Sequence, residues 1–146
     1  MTAALRIDVD VACPPEHAFD VWTSRIDTWW PRDHTVGDAV SVRLVEGIGG
    51  RIYELDADGT EHDWGRVTAW DPPRRLAYTW HIGRGSDEAT DVEIRFVPSG
   101  PGTTRVEIEQ SGWERFAELA GPWRARNRIG WESLLPHFRH ATQRSA

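Results

Sequence analysis

The chain has no lysine. All 17 of its basic residues are arginine, so Schiff-base chemistry on a lysine is excluded. Its single cysteine, Cys13, excludes an intrachain disulfide and a cysteine-based zinc site. Cys13 ends an apolar alternation just before Pro14 and reads as a small core residue. No apolar run is long enough to cross a bilayer or to act as a signal peptide, so a cytoplasmic location is expected. Positive charge is outweighed: the net charge of −6 argues against duplex nucleic acid or an anionic membrane as the main partner. No serine sits in a nucleophile elbow, and internal repeats are absent. At 146 residues the chain reads as one domain, long enough to bury a core without a covalent staple.

Tryptophan, by contrast, is abundant, with nine residues. Trp is large, seldom fully buried, and carries one N–H that needs a partner. Such residues fill cores, and they also make the rigid walls of a wide pocket.

The last third of the chain carries one clean helical pattern. From Pro122 to Gln143, the residues Trp131, Leu134, Leu135 and Phe138 fall on one narrow face. Thr142 extends that face towards the C-terminus. Arg124, Asn127 and Arg128 extend it towards the N-terminus. Gly121 suits the N-cap and Pro122 the first helical position. The helix therefore has an apolar lower half and a polar upper half on one side. Pro136 lies on its outer face, where it removes one backbone hydrogen bond. It marks a kink that wraps the helix or a hinge that gates a pocket.

Before this helix the pattern is short strands and turns. Leu5 to Ala12 alternates as a first strand. Pro14 and Pro15 open a short helix in which Phe19, Trp22 and Ile26 share a face. Strands are then expected at Ala39 to Glu46, Arg51 to Leu55, Glu61 to Trp70, Arg74 to Ile82, Ala89 to Val97 and Thr103 to Ser111. Asp56-Ala57-Asp58-Gly59 is a tight turn, because Asp and Gly tolerate positive φ. Six consecutive strands on short turns form an antiparallel meander. Half of each strand is apolar, so one sheet face must be covered, and the last helix has the stripe to cover it.

This order resembles the birch-allergen-like helix-grip fold, also called START-like or SRPBCC. More narrowly it is similar to bacterial homologues of the heat-shock protein 90 ATPase activator. The matching pieces are Pro14-Pro15-Glu16, Trp29-Trp30-Pro31, Gly49-Gly50-Arg51, Trp64-Gly65-Arg66-Val67, Pro72-Pro73-Arg74-Arg75-Leu76 with Trp80, Gly102-Thr103-Thr104-Arg105-Val106, Ser111-Gly112-Trp113, and Gly130-Trp131 with Leu134-Leu135. The resemblance implies an α+β helix-grip domain. A curved antiparallel sheet of about seven strands would wrap a long C-terminal helix, with one or two short helices after the first strand. It also implies a range of roles: lipid, hormone or polyketide binding, polyketide cyclisation, stress or sacrificial resistance, or action on a chaperone.

The chemistry-bearing motifs are few. Gly47-Ile48-Gly49-Gly50 lies between strands with no helix behind it, so it reads as a hairpin and not a phosphate loop. The Asp56 turn lacks the distal ligands of a calcium loop. His137 and His140 are three apart but face outward, and no third ligand joins them. No metal, no cofactor and no catalytic residue are therefore expected. The leading expectation is a binder of a hydrophobic or aromatic small molecule between sheet and helix. Its cavity would be walled by Trp22, Trp30, Tyr53, Tyr78, Trp80, Phe96, Trp131, Leu135 and Phe138, with Arg124 and Asn127 as polar contacts. The parity behind Tyr53 and Tyr78 depends on strand bulges. Arg124 and Arg128 have a second reading, paired with strand acids such as Glu54, Asp63 or Glu93, or overhanging into solvent. Two other functions stay open. One is a protein-interaction module, which would expose an apolar patch. The other is a cyclase- or hydrolase-like enzyme with Asp63, Glu93, His81 or Tyr53 as acid–base group. Under any of these readings the chain is expected as a monomer or homodimer.

Overall fold

The computed structural model describes residues 2–144. Strand β1 (Leu5–Val11) leads into helix α1 (Pro15–Trp22), which Pro14 and Pro15 start by fixing φ where no N–H partner is needed. Two 3-10 turns, Ile26–Thr28 and Arg32–His34, follow. Then come β2 (Ala39–Leu44), β3 (Arg51–Asp56), β4 (Glu61–Asp71), β5 (Arg75–Trp80), β6 (Thr90–Gly100) and β7 (Thr103–Ser111). A 3-10 segment, Trp113–Leu119, runs into the long helix α2 (Ala120–Arg144). The helix thus starts slightly before the expected Gly121 cap.

The seven strands form one antiparallel sheet in the order β1-β7-β6-β5-β4-β3-β2. The meander closes back on itself because β1 pairs with β7, Leu5 opposite Gln110 and Val11 opposite Thr104. Bulges interrupt the ladders near Ala39/Ser41, Ile52/Tyr53, Val67/Ala69 and Pro98/Gly100. Each bulge adds local twist, which curls the sheet around α2. Gly65 is required by close approach, since a Cβ there would stand 1.8 Å from the carbonyl oxygen of Thr79. Gly59 supplies the positive φ of 89° in the hairpin between β3 and β4.

The α2 stripe packs as its period dictates. Trp131, Leu134, Leu135, Phe138, Ala141 and Thr142 are all buried. Cys13 is buried, and burial pushes its thiol pKa up against an opposing contact from Thr142, so it stays an inert core residue. His137 and His140 are exposed. No helix among the described residues is long and apolar enough to cross a membrane.

Candidate functional site

A cavity of about 590 Å³ lies between the first half of α2, the ends of β5, β6 and β7, and two loops. Trp30, Trp80, Trp113, Phe116, Trp123 and Trp131 supply its aromatic surface, with Ile82 and Leu134 between them. Its floor is polar. Gln110, fully buried, donates from Nε2 to Thr90 Oγ1 at 2.8 Å and to Asn127 Oδ1 at 3.3 Å. Its Oε1 accepts from Trp131 Nε1 at 2.8 Å. Asn127 in turn donates to the Trp123 carbonyl at 2.9 Å. The amide is satisfied by protein, so the floor holds its shape without a ligand.

The rim carries the charge. Arg84 pairs with Glu88 at 2.6 Å and lies 3.6 Å above the Trp123 ring, a cation–π contact that covers the aromatic wall. Phe116 reaches the cavity because the chain turns sharply at the next residue, Ala117, whose φ of 50° is unusual for a residue with a Cβ. On the opposite side Trp30 Nε1 donates to the His34 carbonyl at 2.9 Å and shapes the loop that presents His34 and Thr35.

That loop is braced from below by a buried acid. Glu54 accepts from the backbone N–H of Val36 (2.6 Å) and Gly37 (2.9 Å) and from Trp64 Nε1 (3.1 Å). Burial works to raise its pKa, but the hydrogen bonds from Asp56, Val36, Gly37 and Trp64 outweigh it and hold the carboxyl below its ordinary value. Asp56 moves the other way, raised chiefly by the Glu54 carboxylate and by burial, against the opposing His62 at 2.9 Å. Asp56 Oδ1 is sealed without a hydrogen-bond partner. Glu54, Asp56 and His62 bring ligand atoms within 4.8 Å of one another, a grouping no sequence spacing suggested. Three N–H donors already occupy Glu54, so the trio serves as a brace.

Of the expected wall residues, the structure brings Trp30, Trp80, Trp131 and Asn127 to the cavity. The others lie elsewhere. Trp22 and Phe138 pack on each other at 4.7 Å and fill the lower core. Phe96 packs on Phe19 at 5.2 Å. Tyr78 is buried beneath Trp80, and burial pushes its phenol pKa up. Tyr53 faces outward under the Arg51 guanidinium. It does so because Ile52, Glu54 and Asp56 take the inner parity of β3. Leu135 borders a separate groove beside β1. Arg124 is not at the mouth: it donates to the carbonyls of Ala3 (2.8 Å) and Ala4 (3.0 Å), clamping the lead-in to β1. Arg128 likewise donates to the Arg6 carbonyl. Neither meets Glu54, Asp63 or Glu93; Asp63 pairs with Arg51, and Glu93 with Arg75 and Arg95.

Sequence reasoning missed Gln110, Trp113, Phe116 and Trp123. Gln110 had a signal: it continues the inward parity of Val106 and Ile108, where a polar residue stands out. Trp113 entered only as part of the Ser111-Gly112-Trp113 resemblance and Trp123 only as composition, because the positive-φ turn at Ala117 between them leaves no periodic trace.

A curled seven-stranded antiparallel sheet gripping a long C-terminal helix defines the helix-grip class. A family model described as activator of Hsp90 ATPase homolog 1-like protein matches residues 12–142, and the chain belongs to that family. Among solved structures it is similar to the anthrahydroquino-gamma-pyrone synthase Txn09 complexed with SUM, with 38% identity, 83% of this chain and 84% of that one covered, and a TM-score of 0.60. The self-sacrificing resistance protein CalC from Micromonospora echinospora shares 27% identity over 98% and 96% of the chains, with a TM-score of 0.75. The Aha1 dimer from Colwellia psychrerythraea, 14% identical over 97% and 96%, shares the fold at a TM-score of 0.71. No curated protein matches the chain.

Proposed function

We propose that this is a cytoplasmic binding protein for a flat aromatic small molecule held in the cavity above Gln110. One observation carries this reading. Six aromatic rings surround an open volume of about 590 Å³, a size and lining suited to a drug-sized ligand. The 38% identical relative makes an anthrahydroquino-gamma-pyrone and was solved as a complex, which supports a fused-ring ligand. The exposed large apolar residues among those described, such as Val40, Ile48, Val97, Leu119 and Ile129, are spread over separate elements, which favours the cavity over a chaperone-docking patch.

Gly130 gives the test. It lines the cavity, and a Cβ built on it meets nothing within 4 Å. Gly130→Phe should therefore place a ring in the cavity with no clash at its Cβ. Tryptophan fluorescence titrated with a hydroxylated anthraquinone should saturate for the wild type and weaken at least about tenfold in the variant. Equal titrations would place any binding elsewhere.

A second reading, an enzyme acting on the same ligand, is favoured by His81. It is the one residue among Asp63, Glu93, His81 and Tyr53 that lines the cavity.

A further inference from the structure

His81 follows directly after β5. Its backbone N–H donates to the Trp64 carbonyl at 2.7 Å, which anchors it beside the brace. The side chain is buried, yet it lines the cavity. Its Nδ1 lies 2.9 Å from the carbonyl oxygen of Arg84. A carbonyl can only accept, so Nδ1 carries the hydrogen. In the neutral ring Nε2 is then the basic nitrogen, with its lone pair in the ring plane. Among the described residues nothing hydrogen-bonds Nε2, and Nε2 is not one of the sealed unpartnered atoms, which are Trp22 Nε1, Ser41 Oγ and Asp56 Oδ1. A cavity-lining histidine whose tautomer is set by a carbonyl, and whose other nitrogen is neither hydrogen-bonded nor sealed, has the parts of a general base.

We propose that His81 Nε2 takes a proton from an aromatic ligand bound in this cavity. The substrate class is a flat, fused-ring carbon or phenol acid, whose anion is delocalised over the ring system. The inference rests on the cavity reading above. The Arg84 carbonyl does two things: it holds the ring plane fixed, and it stabilises the imidazolium formed when Nε2 is protonated. The other ionisable groups on the cavity wall are His34 from the loop after Trp30, Arg84 and Glu88 from the loop after β5, and Arg126 from α2. Arg84 and Glu88 neutralise each other, and His34 Nε2 is engaged with Ser133 Oγ at 3.3 Å. Arg126 is a permanent cation stacked 5.0 Å from the Trp123 ring and cannot act as a base; His81 Nε2 is a wall nitrogen with a lone pair and no hydrogen-bond partner among the described residues.

The probe is 5-nitrobenzisoxazole, a flat bicyclic aromatic that opens when a base removes its C3 proton. Nε2 takes that proton. The C–H electron pair becomes the third carbon–nitrogen bond, the N–O bond breaks, and oxygen leaves as a coloured phenolate. The imidazolium then returns its proton to solvent. Wild-type protein should turn the probe over with saturation, and the rate should rise with pH through a single ionisation. His81→Gln, whose amide can still donate to the Arg84 carbonyl, should lose about a hundredfold in kcat/KM and the pH dependence with it. His137→Gln, exposed on the outer face of α2, should stay within about threefold of wild type. Nitrogen-15 histidine spectra of the wild type, which need no variant to fold, should show His81 as the Nδ1–H tautomer. An Nε2–H tautomer, or equal rates for wild type and His81→Gln, would overturn the proposal. If fluorescence still shows the anthraquinone saturating the cavity, such a result removes the base and leaves the binder. Absence of both turnover and binding removes both.

Discussion

The two halves of the space between α2 and the sheet are built from the same residue type to opposite ends. In the lower half the rings touch: Trp22 lies 4.7 Å from Phe138 and 5.3 Å from Trp29, and Phe19 lies 5.1 Å from Trp70. In the upper half the rings stand around a volume they do not fill. The difference lies in the residues between them. Below, α2 presents Phe138 and Ala141 to the core. Above, it presents Asn127 and Gly130, opposite Thr90 and Gln110. Along each upper wall rings do touch, Trp30 on Trp80 at 5.7 Å and Phe116 on Trp123 at 6.3 Å; the size of the side chains between the walls decides whether the two sides close on each other. Interiors tolerate few voids, and an open upper half beside a close-packed lower half supports the binding role proposed above.

The comparison can be broken most directly by truncating one ring on each side. Phe138→Ala should cost roughly 3–5 kcal/mol of unfolding free energy, from lost burial and a cavity against Trp22 and Trp29. That is a large share of the roughly 5–15 kcal/mol a domain has available. Trp123→Ala, on the rim, should cost less than about 1 kcal/mol while weakening the anthraquinone. Urea unfolding on both variants checks this. Equal losses would show that the upper half is also load-carrying core.

A smaller effect is expected at Arg124. Its two hydrogen bonds go to the carbonyls of Ala3 and Ala4. Arg124→Met should therefore lose about 1 kcal/mol of stability and leave anthraquinone affinity unchanged. A loss of affinity with no loss of stability would return Arg124 to the cavity mouth.

The smallest effect sharpens the brace beneath the upper half. Glu54 is depressed, so its contribution is present above its unfolded value and lost as pH falls through its folded one. Asp56 is raised, so its contribution is present below its unfolded value and lost as pH rises through its folded one. Asp56→Asn removes the second charge beside Glu54. It should raise the thermal midpoint near neutral pH, and the gain should vanish in acid, where Asp56 already holds its proton. A gain that persists unchanged in acid would show that the pair does not share its titration in this way.

How much could be read in advance follows from the same contrast. The seam of α2 was legible because Trp131, Leu134, Leu135 and Phe138 repeat at the helical period. The meander was legible because Val92, Ile94, Phe96, Val106 and Ile108 alternate between defined turns. Within the site, Trp80, Asn127 and Trp131 were foreseeable, since they sit on those periodic faces, whereas Trp30, between the two 3-10 turns, was expected only as a large aromatic wall. Tyr53 was misplaced because both faces of β3 carry large residues, and a buried, hydrogen-bonded acid there outcompetes an aromatic for the inner parity. Arg124 was misplaced because its partners are backbone carbonyls, which no residue pattern reveals.

By itself, then, the sequence determined the class of fold, the long amphipathic helix and the supply of aromatic walls. Each of these follows from local periodicity, turn chemistry or composition, which act within a few residues. The tertiary structure alone decided which rings meet and which stand apart, that β1 closes onto β7, that Gln110 becomes the floor, and that the Arg84 carbonyl sets the tautomer of His81. These depend on bulges, on one turn at Ala117 and on contacts between residues far apart in the chain, where packing, not local preference, chooses among faces that the sequence leaves equally apolar.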